Sequence, residues 1–140
     1  IPDMGKFNDM LNQAKILTEL LYEKCDIGKR LRMAYPDKTA LCACVETLEK
    51  ISSLYKEYRQ ISYKIWFKNN NPFGWEQCDF LLGGMESRIN TAISRVKDYI
   101  EGRTESIPEL LADIDYYYGN AYPLTESGVM TTICFPGYGI

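Results

Sequence analysis

Apolar side chains recur at alternating steps of three and four residues through most of the first hundred positions, the spacing of one face of an α-helix. From Lys6 to about Ala34 the stripe runs Phe7, Met10, Ala14, Leu17 and Leu21, widened by Leu11 and Leu20. Gly28 is expected to loosen this helix near its end. Tyr35-Pro36 stops it, because the residue before a proline is pushed out of the helical region. Asp37 then stands where an N-cap belongs, and a second helix follows from about Lys38 to Lys68. Its stripe is Leu41, Cys44, Leu48, Ile51, Tyr55, Tyr58 and Ile65, with Ser62 as the one polar interruption. At 1.5 Å per residue it is about 45 Å long.

Asn69-Asn70-Asn71-Pro72-Phe73-Gly74 breaks that helix with turn-forming residues. A third helix, about Glu76 to Glu101, carries Leu82, Met85, Ile89, Ala92, Val96 and Tyr99 on one face, with Ile93 and Ile100 beside them. Gly83-Gly84 weakens its first half by about 1 kcal/mol per glycine relative to Ala, so close approach of another backbone is expected there. Gly102 is placed to terminate it. Ser106-Ile107-Pro108-Glu109 reads as a capping box with proline in the first turn, opening a short fourth helix through Leu110, Leu111 and Ile114. From Gly119 to Ile140 the composition turns to glycine and proline, and Val129 to Phe135 reads as a strand.

Three long amphipathic helices with short connections bury their stripes by lying antiparallel. The expected fold is therefore all-α: an up-down-up three-helix bundle over residues 1–118, with the short fourth helix and an irregular C-terminal tail, 119–140. The tail is expected to lie on the bundle or on a neighbouring domain.

Composition narrows the possible roles. The 140 residues are 46% hydrophobic and 25% charged with a net charge of −3, and the basic residues are dispersed. That argues against nucleic acid as a partner, which needs a concentrated basic face. No apolar run approaches the ~20 residues of a bilayer-crossing helix, so no membrane role is expected. Histidine is absent, which removes the commonest neutral-pH base and metal ligand. Cys25, Cys42, Cys44, Cys78 and Cys134 lack CxxC spacing. They read as small buried hydrophobes in a reducing, cytoplasmic setting, with a zinc or redox site as the alternative. The start at Ile1 without an initiator Met is what an excised segment would show.

Candidate chemistry is thin. Glu76 with Asp79, and Asp113 with Asp115, read as solvated helix surface rather than as a catalytic pair. No phosphate-binding loop follows Gly83-Gly84, and serine or cysteine nucleophiles have no histidine to activate them. No catalytic residue, metal or cofactor is assigned. The informative stretch is Tyr63 to Gly84, where Trp66, Phe67, Phe73, Trp75 and Phe80 crowd around an Asn-Pro turn. These rings either fill the end of the bundle or face outward to anchor another domain, a second subunit or a sugar ring. Tyr116, Tyr117, Tyr118 and Tyr122 pose the same choice. The interface or sugar-contact candidates are Trp66, Asn71, Phe73, Trp75, Tyr116 and Tyr117.

The same stretch carries a resemblance. Tyr63, Trp66, Asn71, Pro72, Gly74, Trp75, Glu76, Asp79, Gly83, Gly84 and Arg88 resemble a pattern in the C-terminal helical region of bacterial family 20 glycoside hydrolases, the exo-β-N-acetylhexosaminidases. Gly28-Lys29-Arg30-Leu31-Arg32-Met33-Ala34-Tyr35 is similar to a run found upstream in such regions, so the likeness covers about residues 6–102. Leu81-Leu82 departs from it where the pattern has an arginine. The resemblance implies a parent with an N-terminal α/β domain, a catalytic (β/α)8 barrel and then this domain. It also implies chemistry by an adjacent Asp-Glu pair on the barrel, and no such dipeptide occurs in this chain. The expected role is therefore a non-catalytic domain that supports the barrel of a β-N-acetylhexosaminidase-like enzyme or its homodimer. An independent helical adaptor binding a protein partner is the alternative.

Overall fold

The computed structural model describes residues 7–111, and among them every regular element is an α-helix. They are α1 (Asn8–Lys24), α2 (Ile27–Ala34), α3 (Lys38–Asn69), α4 (Trp75–Ile100) and α5 (Pro108–Leu111). The tail 119–140, its strand-like stretch and Tyr116, Tyr117, Tyr118 and Tyr122 lie outside the described residues, as do Asp113, Asp115 and Cys134.

Cross-helix bonds fix the topology. Lys64 of α3 donates to Asp9 near the start of α1 (2.8 Å), while Lys50 reaches Glu23 near its end (2.8 Å). On the other side Arg59 pairs with Asp79 and Lys97 with Glu49. Both neighbours therefore run antiparallel to α3, giving the expected up-down-up order. α3 is the spine: α1 and α2 lie along it on one side and α4 on the other.

Local chemistry ends the helices where expected. Asp37 caps α3 by accepting the Thr39 N–H at 2.8 Å. Past α4, Gly102 adopts a left-handed φ of 77°. Its N–H reaches the Tyr99 carbonyl and the Arg103 N–H that of Asp98, the paired bonds of a Schellman ending. Ser62, the polar interruption in the α3 stripe, accepts a bond from Gln13 of α1 (2.8 Å).

The first predicted helix is two. The break falls at Cys25-Asp26, and Gly28 sits intact inside α2. Aspartate favours a helix start over an interior, and the Asp26 carbonyl accepts the Arg30 N–H at 2.9 Å. The short α5 opens one residue later than a Ser106 capping box requires. Glu109 is instead bonded to its own backbone and to Arg95, which together hold its carboxyl below the usual range.

The core occupies only one half of the bundle. Leu41, Leu48 and Ile51 of α3 are fully buried, with Ile27 and Leu31 of α2, Leu20 of α1, Ile89 and Val96 of α4, and Ile107 around them. At this end Tyr35 stacks on Tyr99 (4.9 Å between centroids, 13° between planes), and its hydroxyl accepts the Ile107 N–H at 3.0 Å. Lys38 lies over the Tyr99 ring and donates to the Ile100 carbonyl at the C-terminus of α4, where a cation is favoured. In the other half, no residue from Lys56 to Arg88 is buried.

Candidate functional site

The uncovered half is organised around the turn between α3 and α4. Asn70 closes α3 through its N–H to the Trp66 carbonyl (2.8 Å), and the Trp66 indole donates to the Asn71 carbonyl (3.0 Å). Asn71 folds its side-chain oxygen toward the Phe73 N–H, an Asx-type turn. Gly74 takes a left-handed φ of 98°, and its hydrogen faces the Trp66 ring where a Cβ would lie 3.5 Å away. The Glu76 carboxylate accepts the Gly74 N–H at 3.1 Å. These bonds hold the turn in one shape.

That shape assembles rings. Trp75 sits among Tyr63 (5.5 Å), Trp66 (6.1 Å) and Phe67 (6.2 Å), in tilted and edge-on geometries that aromatic quadrupoles favour. Trp66 and Trp75 are half-buried in this cluster, whereas Asn71 is exposed. Phe73 and Phe80 stand outside it, 82% and 78% exposed, and Leu81 is 55% exposed. Of the contact candidates, then, Trp66 and Trp75 build the platform, Asn71 shapes the turn and Phe73 projects from it. Phe80 and Leu81 are exposed apolar side chains in the first turns of α4. A signal for them exists in the sequence, since both lie off the Leu82-Met85-Ile89 stripe that packs on α3.

Electrostatics marks the border between the halves. Arg59 donates from Nε to Asp79 at 2.8 Å and lies 3.8 Å from Glu86. The hydrogen bond from Arg59 holds the Asp79 carboxyl below its usual range, and the same bond raises the guanidinium. Asp79 is thus a helix-to-helix tie rather than a free surface acid. A general acid for glycoside cleavage needs a raised pKa, the opposite of what Arg59 imposes. Gly83 lies under the Arg59 guanidinium and Gly84 faces open space, so the close backbone approach expected at this pair is not found among the described residues. Two shallow grooves, of about 430 Å³ and 530 Å³, flank Arg59 along α3 and α4.

Cys25 and Cys42 are exposed, in contrast to the buried cysteines expected, and bond to the carbonyls of Tyr22 and Lys38. Cys44, two residues on from Cys42, is buried, and burial pushes its thiol pKa up. Among the described residues no group of three or more His, Cys, Asp or Glu side chains is placed to hold a metal ion, and no helix is long and apolar enough to cross a membrane.

An all-α bundle with a core in one half and a fixed aromatic platform in the other has the make-up of an accessory helical domain. The family comparison gives the particular case: the chain belongs to the Glycoside Hydrolase 20C C-terminal domain family, whose model matches residues 2–128. Comparisons with curated proteins and with solved structures give no significant match.

Proposed function

We propose that this domain is non-catalytic and supports the catalytic barrel of a β-N-acetylhexosaminidase-like glycoside hydrolase, docking through its aromatic half. The observation that carries this reading is Phe73, 82% exposed on the rigid turn, and Phe80, 78% exposed in α4, in a half of the bundle where no residue from Lys56 to Arg88 is buried. Apolar surface gathered in this way marks a contact site. A domain that precedes this one in the same polypeptide enters at the start of α1. Antiparallel packing sets that point beside the C-terminal end of α3, where Phe7 and Met10 share a small cavity with Ile65 and Asn69. Attachment and uncovered surface thus fall at the same end. The bacterial, cytoplasmic setting is part of this proposal.

The test uses the parent enzyme. Phe73→Asp with Phe80→Asp should lower its melting temperature and its turnover of a chromogenic N-acetylglucosaminide, while the 140-residue chain bearing both changes melts as before. The 140-residue chain should show no turnover itself. A parent that keeps its stability and activity with both substitutions overturns the proposal, and a concentration-dependent loss of dimer would move the contact to a second subunit.

A further inference from the structure

α1 buries one residue, Leu20, and leaves Met10, Leu11, Leu21 and Tyr22 exposed. Its three acids, Asp9, Glu19 and Glu23, all point toward α3, where Lys64, Lys68 and Lys50 neutralise them. Gln13 bonds Ser62, and Lys24 bonds the Tyr55 hydroxyl. The exposed surface along α1 carries Phe7 (49% exposed) and Met10 (49%), which border Ile65 of α3, and then Leu11 (38%), Leu21 (56%) and Tyr22 (76%). No acid is exposed on that side, and Lys15 is its one charge. Leu20 and Ile16 anchor α1 in the core beside these polar contacts, and the apolar side chains left exposed along it gain nothing from their position unless something covers them.

We infer that this outward face of α1 is a second contact strip, and that its occupant is the catalytic domain preceding this chain in the same polypeptide. The inference rests on the reading given under Proposed function and extends the contact from the aromatic end along the length of α1. Two observations select the occupant. The strip is continuous with the aromatic end through the cavity that Phe7 and Met10 share with Ile65, and a preceding domain enters the chain there. Its size also discriminates. From Phe7 to Tyr22 the strip is about 22 Å long and one helix wide, on the order of 300 Å². A stable homodimer takes roughly 800 Å² from each partner. A covalently attached domain needs less, because the linker holds its effective concentration in the millimolar range.

Cys25 supplies a native probe, since its exposed thiol bonds the Tyr22 carbonyl at the far end of the strip from the chain entry. Alkylation is followed at each cysteine by peptide mass in the parent enzyme and in the 140-residue chain. Cys25 should label at least about tenfold more slowly in the parent, the sign of a face covered most of the time. Leu21→Glu with Tyr22→Glu should restore fast labelling in the parent and leave the helix content of the 140-residue chain unchanged. Equal Cys25 rates in the two proteins overturn the assignment, as does protection in the 140-residue chain that grows with its concentration, which would assign the strip to a second copy. The outcomes also separate the two readings. If Cys25 is unprotected but Phe73→Asp with Phe80→Asp still loosens the parent, only the α1 strip falls. If neither effect is seen, the accessory-domain reading falls with it.

Discussion

The two halves of this bundle are made by the same three long helices, yet they are finished differently. In one half Leu41, Leu48 and Ile51 are fully buried among side chains of α1, α2, α4 and Ile107, and the Ile107 N–H and the Ile100 carbonyl at the closure are held by Tyr35 and Lys38. In the other half the helices carry more aromatic surface but bury none of it fully. Burying a large apolar side chain contributes about 1.5–3 kcal/mol, so the closed half supplies the stability of the isolated chain. In the aromatic half, among the described residues, that contribution is left unrealised, as the proposed docking role requires. Its rigidity comes from hydrogen bonds in the turn, which hold the rings in place before any partner arrives and lower the cost of ordering them on binding.

Substitutions in the 140-residue chain can break or sharpen this contrast. The largest effect belongs to the closed half: Leu48→Ala should cost about 3 kcal/mol in urea unfolding, since it opens a cavity among fully buried neighbours. A loss below about 1 kcal/mol would mean that this core is not the one holding the fold. Tyr35→Phe should cost about 1–2 kcal/mol by stranding the Ile107 N–H. Gly74→Ala should cost a similar roughly 1–2 kcal/mol, because alanine resists a left-handed backbone. Its signature should be local, a changed Trp66 fluorescence with the far-end core unaltered. Phe73→Ala should lie within about 0.5 kcal/mol of the wild type. A cost comparable to that of Leu48→Ala would erase the distinction between the halves.

The smallest effect concerns pH. The Asp79 carboxyl is held below its ordinary value of 3.8 by Arg59. Its contribution is therefore complete above that value and is lost as pH falls through the lower folded-state pKa. Asp79→Asn should remove this component, so that stability of the variant falls less steeply than that of the wild type as pH drops below 3.8. Identical acid profiles would show that the tie between α3 and α4 is not formed in solution.

Much of this was legible in the chain. The 3-4 spacing located α3 and α4, and its stripe positions Leu41, Cys44, Leu48, Ile51, Tyr55, Ile89, Ala92 and Val96 are buried, as are Val45 and Leu54, which the stripe left out. Asp37, Gly102 and the Asn-Pro-Phe-Gly turn act where their conformational preferences place them, because these effects involve only a few neighbouring residues. The resemblance carried by Tyr63 to Arg88 led to the family that the chain belongs to. The sequence alone also excluded an adjacent Asp-Glu pair.

Tertiary structure decided direction. The stripe Phe7, Met10, Ala14 and Leu21 was expected in the core, but these residues are exposed, and Leu20 is the buried residue of α1. Periodicity identifies side chains that share a face but not the surface that face meets. Here five residues of α3, Lys50, Tyr55, Ser62, Lys64 and Lys68, bond the other side of the helix, which also carries the buried Leu20. The break at Cys25-Asp26 and the emptiness of the aromatic half are likewise set by what lies across the interface. Local sequence determined where the helices are and how they end. Which apolar faces are satisfied depends on contacts between residues far apart in the chain, and among the described residues the aromatic end and the exposed side of α1 are left uncovered.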